Sequence, residues 1–498
     1  MPKFTVQDKN EIILIAAGTP AVQVGAVVHL PLALLSLAAW IREKSDYARH
    51  LKIYDANLCK ISPECFLKAA IVGISAMSGS QVKYGLQAAA MVRAANPDAV
   101  IVWGGIHASL MPEQTIQNKL VDVVVAGEGE ETFLEVVDAI FSNRDLAGIP
   151  GTYVLAPDGE LVRGGERDFL NLDDLPLPAY DLISIGDYSN IEGQFDYQTS
   201  RGCPFRCAFC YNVAFCNRRY RSKSPNKVIQ ELICLHEKYG VKNFGLVDDE
   251  FFVDRKRVEE IFDGILQSGR GFSLIASCRL DIVQRLSPEL LLKMRESGVT
   301  RLFLGAESGS PAILEAIKKD ISTDDIINGA KTIVNSGIEP VLSFMSGFPG
   351  ETQEDLDKTE DMILELWELD TAIIVNGVFP FNAYPGTSLY QTALDLGLKS
   401  PSSLEEWGEY SFQYKPDNPW LDAKTIKRIE ILFYMVRFKY YFSRLEAKYK
   451  DYALFSLLKI LMLPLFSSVK FRMKYKLYGM AFEWKIIAFV FRKTFGYL

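Results

Sequence analysis

The densest chemistry in the 498-residue chain lies in Arg201-Gly202-Cys203-Pro204-Phe205-Arg206-Cys207-Ala208-Phe209-Cys210-Tyr211, where three thiols fall within eight residues. Three thiolates can hold three irons of a four-iron cluster and leave the fourth open to a small ligand, which four-cysteine electron-transfer clusters do not allow. Zinc would need a fourth ligand, and the histidines His29, His50, His107 and His236 supply no local pair. A buried structural trio is the third reading, set against the loop character that Pro204 and the aromatics give the segment.

The composition, 49% hydrophobic and 23% charged, supports a large core and excludes a disordered, collagen-like or disulfide-stapled chain. Eight cysteines in this length are too sparse for a secreted scaffold and point to a reducing compartment. The mixed, polar start lacks the pattern of a signal peptide, so a cytoplasmic location is expected. Residues 13–40 carry no charge and exceed the roughly 20 residues of a membrane span. Pro20 and Pro31 interrupt them, and the stretch reads as a buried strand over 12–17, a loop, and a buried helix over 32–42.

The elements that would position these residues follow an α/β rhythm. Strands are expected at 12–17, 51–54, 71–75, 100–103 and 121–125, with helices near 32–42, 81–95 and 131–142. Such alternation builds a parallel sheet with right-handed crossovers, a flavodoxin-like (Rossmann-like) domain over 1–155. The turns Ser75-Ala76-Met77-Ser78-Gly79-Ser80, Gly104-Gly105-Ile106-His107 and Gly127-Glu128-Gly129-Glu130 stand at strand ends, where open sheets bind ligands. Residues 156–195 collect Asp, Gly and Pro and read as a linker with little core of its own. Strands resume near 197–200, 243–247, 272–277, 301–304, 340–345 and 371–378. Six βα units over 196–400 predict a partial (β/α)6 barrel of TIM type, its active site at the C-terminal strand ends.

The spacing Cys203-x-x-x-Cys207-x-Phe209-Cys210 after a first barrel strand resembles the signature of the radical S-adenosylmethionine (radical SAM) enzymes. Gly104-Gly105-Ile106-His107-Ala108, Gly127-Glu128-Gly129-Glu130-Glu131-Thr132, Leu172-Asp173-Asp174-Leu175-Pro176 and Gly347-Phe348-Pro349-Gly350-Glu351-Thr352 extend the resemblance over most of the chain. In that order they resemble the cobalamin-binding branch, which includes anaerobic Mg-protoporphyrin monomethyl ester cyclase and hopanoid- or lipid-modifying enzymes. The resemblance implies that Cys203, Cys207 and Cys210 bind a 4Fe-4S cluster whose open iron chelates the methionine part of S-adenosylmethionine, with Phe209 beside the adenine. Asp248, Asp249 and Glu250 stand where relatives have a Gly-Gly-Glu segment that receives the methionine ammonium, a cation that needs a carboxylate or carbonyl partner in a partly closed site. Arg279, Glu307 and Ser308 fit contacts to the carboxylate and ribose, with ordinary ion pairs at a barrel rim as the alternative. Ser75, Gly104, Gly105, His107, Gly127, Glu128, Gly129 and Glu130 would hold cobalamin.

One pattern departs from the branch. Many cobalamin-binding proteins carry Asp-x-His-x-x-Gly after an early strand, the histidine replacing the cofactor's own lower ligand. Here the segment is Tyr54-Asp55-Ala56-Asn57-Leu58-Cys59-Lys60, with Asn57 in the histidine position. Cobalamin without a histidine lower ligand is therefore the expectation, with a domain that no longer holds the cofactor as the alternative. Cys59 reads as a small buried cysteine before a soft ligand, and Cys216 as a packed thiol. His107 is a hydrogen-bonding loop residue or a corrin contact.

The implied reaction begins when a reduced cluster, fed by a donor such as flavodoxin or ferredoxin, cleaves S-adenosylmethionine to methionine and a 5′-deoxyadenosyl radical. That radical takes hydrogen from an unactivated carbon of an apolar or lipid-like substrate, and cobalamin delivers a methyl group there. Radical cyclisation is the alternative within the branch. A non-catalytic cobalamin- or cluster-binding sensor is the alternative of another class.

The formal charge of −8 is unevenly spread: residues 424–498 hold 16 Lys and Arg against 4 Asp and Glu, together with 19 of the 58 aromatic residues. Helices are expected over 424–448, 452–463 and 482–491 in a basic, aromatic region that begins at 401. An anionic membrane gains about 1 kcal/mol per nearby basic side chain, so peripheral membrane contact is one reading. A helical cap whose cations pair with the acidic body is the other. Nucleic acid is not an expected partner, because the rest of the chain has 38 Lys and Arg against 58 Asp and Glu.

Overall fold

The computed structural model describes residues 10–18, 28–188, 194–410, 418–449, 453–479, 481–484 and 486–487. It divides into two compact units: Met1–Asp196 with Arg221–Lys223 and Ser400–Ser411, and Tyr197–Tyr220 with Ser224–Lys399 and Phe412–Leu498.

The first unit holds β1 (Glu11–Ala16), β2 (Leu51–Asp55), β3 (Ala69–Ser75), β4 (Val100–Gly104), β5 (Val123–Val125), β6 (Thr152–Leu155) and β7 (Leu161–Arg163). They form one sheet in the order β2-β1-β3-β4-β5-β6-β7, parallel from β2 to β5. Gly73 of β3 packs against Phe133 of the helix Glu130–Phe141, while its neighbour Ile74 packs toward Gly85 of the helix Ser80–Ala95. Successive strand residues point to opposite faces, so both faces are covered, which explains the near-continuous apolar run Ile12-Ile13-Leu14-Ile15. The uncharged stretch resolves into β1 and the helix Leu32–Lys44, with residues 19–27 outside the described ones.

Two features differ from the expected boundaries. Part of the segment 156–195 is structured: β6 and β7 form an antiparallel hairpin with Leu155 opposite Leu161, and Leu172 and Leu175 are buried against Trp40. Pro157, Asp158 and Gly159 close that hairpin. Residues 400–411 return to the first unit, where Trp407 is fully buried and donates Nε1–H to Gln114 Oε1 at 2.6 Å.

The second sheet holds β8 (Phe195–Tyr197), β9 (Asn243–Leu246), β10 (Ser273–Cys278), β11 (Val299–Glu307), β12 (Glu339–Ser346) and β13 (Ile374–Pro380), which lie side by side in chain order. The pairings from β9 to β13 are parallel, the arrangement of an open partial barrel. Reciprocal capping boxes start two of its helices, Ser322 with Asp325 and Thr352 with Asp355. Such a cap contributes about 1 kcal/mol.

In the tail, the helix Ala423–Tyr449 lies against β13 and the helix Ala453–Tyr475 against Gln353–Leu369. The second runs past the expected end at 463, because Pro464 removes one donor while Val469 and Met473 continue a buried stripe. Of the expected third helix, 482–491, residues 482–484 and 486–487 are described and helical, and the others lie outside the described residues. Arg428 binds Glu360 and Asp357, Arg444 binds Glu339 at 2.7 Å, and Lys476 binds Asp361 at 2.6 Å. These pairs match the cap reading of the basic tail. Among the described residues, no helix is long and apolar enough to cross a membrane.

Candidate active site

The cysteine loop follows β8 and opens with Gly202 at φ 81°, where a Cβ would stand 2.0 Å from the Arg219 carbonyl oxygen. Gly202 N–H donates to Asp249 Oδ2 at 2.9 Å, binding the loop to the end of β9. Cys207 is buried, and Cys203 and Cys210 are half-buried. Burial pushes the Cys203 thiol up to about 11 and Cys210 up to about 12, with the charge of neighbouring thiols adding to both. Arg279 supplies the opposing charge. Its Nη1–H donates to Cys207 Sγ at 3.4 Å, its Nε binds Asp281 at 2.8 Å, and its plane lies 3.8 Å from the Phe205 ring centre. Among the described residues, no three His, Cys, Asp or Glu side chains are already arranged to hold a metal ion. The donor set nevertheless fits an iron–sulfur cluster: three thiols share one loop, and a metal that binds them displaces their protons.

The expected ammonium-binding segment divides its work. Asp248 is buried and accepts from Thr199 N–H at 2.6 Å, Ser200 N–H at 3.0 Å and the Thr199 hydroxyl, so both oxygens latch the chain after β8 to β9. Asp249 holds Gly202. Glu250 accepts Phe252 N–H at 3.1 Å, and burial pushes its carboxyl up to about 7 against the pull of Arg279 and Lys319.

Glu307, at φ 63°, places Oε1 2.7 Å from Lys319 Nζ with both side chains buried. Ser308 is turned into its own turn, its hydroxyl 3.1 Å from Thr359 Oγ1 and accepting Ser310 N–H at 3.1 Å. Phe209 lies 6.1 Å from Phe348, which lies 5.0 Å from Phe381. The structure thus ties the cysteine loop to Asp249 and Arg279, links Arg279 to Glu307 through Lys319, and engages Asp248 and Ser308 in local latches.

Two residues escaped the sequence reading. Lys319 sits in Lys318-Lys319-Asp320, which reads as an ordinary solvated charge run. Glu351 accepts from the Ser346 hydroxyl at 3.0 Å, from Phe348 N–H at 3.3 Å and from Gly347 N–H, and burial pushes it up to about 7. The motif that contains Glu351 was the available signal.

At the strand ends of the first unit, Gly105 has φ 87°, and a Cβ there would meet Ser75 Oγ at 2.8 Å. Ala76 N–H donates to Gly104 O at 3.2 Å, and Gly127 N–H to Ser109 Oγ at 2.9 Å. Gly129 packs against Leu37. Glu128 pairs with Arg221 and Glu130 accepts from the Ser36 hydroxyl at 2.7 Å, so both carboxylates have protein partners. His107 is fully buried, with Nδ1 2.8 Å from Ser78 Oγ and its ring 5.3 Å from Trp407. Burial pushes its pKa down to about 4, and Nε2 is buried with no partner among the described residues.

Such an orphan beside small turns fits a large cofactor bearing amide side chains. In the Asp55 loop, Asp55 Oδ1 accepts both N–H and Nδ2–H of Asn57 at 2.8 Å, and Oδ2 accepts the Tyr188 hydroxyl at 3.0 Å. Cys59 is exposed and not buried as expected, because the turn after β2 carries it outward, its thiol donating to Asp55 O at 3.2 Å. Cys216 is packed as expected.

Residues 197–363 match the radical SAM superfamily, and residues 20–137 match the B12 binding domain. An uncharacterized methyltransferase of Pyrococcus horikoshii is 34% identical over 375 residues, which are 73% of this chain and 78% of that one. The chain belongs to the radical SAM superfamily. This radical SAM protein is also 28% identical over 313 residues, 61% of its length, to the anaerobic magnesium-protoporphyrin IX monomethyl ester cyclase of Rubrivivax gelatinosus, spanning 56% of that relative. The hopanoid C-2 methylase of Rhodopseudomonas palustris is 32% identical over 192 residues, 38% of this chain and 36% of that one. In fold, the solved cobalamin-dependent S-adenosylmethionine radical enzyme OxsB with aqua-cobalamin bound matches at TM-score 0.72 and 17% identity, over 98% of this chain and 75% of that one. The radical SAM and B12-binding domains together imply S-adenosylmethionine, cobalamin and an iron–sulfur cluster as the cofactors.

Proposed function

We propose that this protein binds a 4Fe-4S cluster through Cys203, Cys207 and Cys210, binds S-adenosylmethionine beside it, and with cobalamin methylates an unactivated carbon of an apolar or lipid-like substrate. The observation that carries this reading is the loop after β8, which bears three free thiols and in which a buried guanidinium donates to one of them. When bound, the cluster supplies the electron that cleaves the sulfonium and cobalamin supplies the methyl group.

The chain's own residues bind, orient and exclude water. Arg279 offers its fork to the carboxylate, Asp249 and Glu250 receive the ammonium, Glu307 takes the ribose hydroxyls, and Phe209 lies against the adenine. Asp248 and Ser308 support these groups through their latches. In residues 1–155, Ser75, Gly104, Gly105, Gly127, Glu128, Gly129 and Glu130 frame the cobalamin site, and His107 Nε2 meets a cofactor amide. Asn57 stands where an imidazole would be, so no histidine serves as lower ligand. Residues 196–400 form the radical SAM core.

Similarity to the hopanoid C-2 methylase and the Phe209–Phe348–Phe381 row support an apolar substrate. A flavodoxin or ferredoxin donates the electron in a cytoplasmic enzyme. Exposed Phe471, Tyr475, Phe482 and Ile486, beside Lys470 and Lys474, support peripheral contact with an anionic membrane. The cyclase relative favours radical cyclisation as the second reading.

Anaerobic reconstitution tests the assignment. About four irons per chain, retained cobalt and reductant-dependent cleavage of S-adenosylmethionine are expected. Replacing Cys203, Cys207 and Cys210 together by Ala should abolish iron and cleavage. Unchanged cleavage in that variant overturns the assignment, and a wild-type chain that binds the cofactors without cleaving is a sensor.

A further inference from the structure

Four consecutive residues, Ile317 to Asp320, grip three parts of the site at once. Ile317 O accepts the N–H of Ala208, in the cysteine loop, at 2.8 Å. Lys319 O accepts Arg279 Nη2–H at 2.5 Å, and the Lys319 ammonium binds Glu307 Oε1 at 2.7 Å. Asp320 takes Arg206 of the cysteine loop through both oxygens, each at 2.8 Å.

The backbone is strained to do so. Lys318, Asp320 and Glu307 have φ of 52°, 57° and 63°, a left-handed conformation that only seven non-glycine residues adopt among those described. The ion pair also dictates its neighbour: a Cβ on Gly305 would stand 2.3 Å from Glu307 Oε1 and 2.8 Å from Lys319 Nζ. An ammonium this deeply buried is costly to desolvate, so a close, well-formed partner is required. Strain, a missing Cβ and a buried charge pair converge on one point, and that point joins the cysteine loop to Arg279 and Glu307.

We propose that Lys319 is the positioning residue of the S-adenosylmethionine site, holding Glu307 by its ammonium and Arg279 by its carbonyl in register with the cysteine loop. The inference rests on the reading of Arg279 and Glu307 as S-adenosylmethionine contacts. Lys319 acts through those two groups, and the hydrogen bond of its side chain goes to Glu307.

The test uses the reconstituted full chain, kept anaerobic and unreduced so that no turnover occurs, with S-adenosylmethionine affinity read by equilibrium dialysis and iron content in parallel. Lys319→Met should weaken binding about tenfold at unchanged iron content, the loss expected when a charged hydrogen bond is removed. Lys319→Arg, which restores the charge, should recover most of it. In a Glu307→Gln background, Lys319→Met should add almost nothing, because the lysine works through that carboxylate. This double variant leaves no unpaired buried charge, so it reports even where the single variant fails to fold. Wild-type-like affinity in Lys319→Met, or a full second loss in the double variant, overturns the inference. A wild-type chain that takes up iron but not S-adenosylmethionine overturns the underlying site reading instead.

Discussion

The Arg279 guanidinium stands 3.4 Å from the Cys207 thiol and lies over the Phe205 ring of the same loop. One planar group therefore serves a thiol, the Asp281 carboxylate and the Lys319 carbonyl from three different edges. Lysine has the charge but not the fork, so Arg279→Lys is not conservative here. Affinity for S-adenosylmethionine should fall about tenfold, on the scale of a lost charge-assisted hydrogen bond, with iron content unchanged. Dialysis on the unreduced protein reads it. Wild-type affinity would remove Arg279 from the contacts.

Glu351 gives a pH signature. Burial holds its carboxyl at about 7 against an ordinary value of 4.5, despite three hydrogen bonds to one oxygen. A raised acid favours the native state in its protonated form, so its contribution is complete below about 4.5 and fades as pH rises through 7. Glu351→Gln is neutral throughout and can still accept through its amide oxygen. It should match the wild type near pH 4.5 and exceed it above pH 7 by ~3 kcal/mol. Thermal unfolding across that range decides, and a gap independent of pH would refute the assignment.

The tail is fastened by charge as well as by packing. Arg428 Nε donates to Glu360 Oε1 at 2.9 Å, and the Glu360 side chain has no exposed surface. Arg428→Met takes from that carboxylate its nearer cation, leaving Lys476 at 3.3 Å, and should cost roughly 3 kcal/mol. Arg428→Met with Glu360→Gln removes the stranded charge and should recover more than half of the loss. Urea unfolding of the three proteins tests it, and simple additivity would show that the two residues are not coupled.

Local order was readable in the sequence; partnership across it was not. The β-branched and aliphatic runs of β1, β3 and β4 announced buried parallel strands, and the cysteine window carried its chemistry in eight residues. The β6–β7 hairpin was lost because two short strands flank a Pro-Asp-Gly turn that dominates the local signal. Asp248, Asp249 and Glu250 look alike in sequence, yet Thr199, 49 positions from Asp248, decides that Asp248 becomes a latch. Lys319 looked like one more surface cation until Glu307 came within reach. Cys59 seemed small enough to bury, but the turn that follows β2 put it outside.

Two glycines should separate the two cofactor sites. Gly202 cannot accept a side chain without driving its Cβ into Arg219 O, and at φ 81° an alanine is strained even before that clash. Gly202→Ala must therefore move the residue next to Cys203 and weaken the Gly202–Asp249 hydrogen bond, while the sheet behind it stays packed. Iron uptake should fall to about half or less, with the melting temperature lower by only a few degrees. Gly105→Ala strikes the other loop, where the new methyl meets Ser75 and Ala76, and should cost cobalt retention without altering iron. If each variant loses only its own metal, the two cofactors occupy the two loops; if both variants lose both metals, or neither loses any, that division of labour between the sheets is wrong.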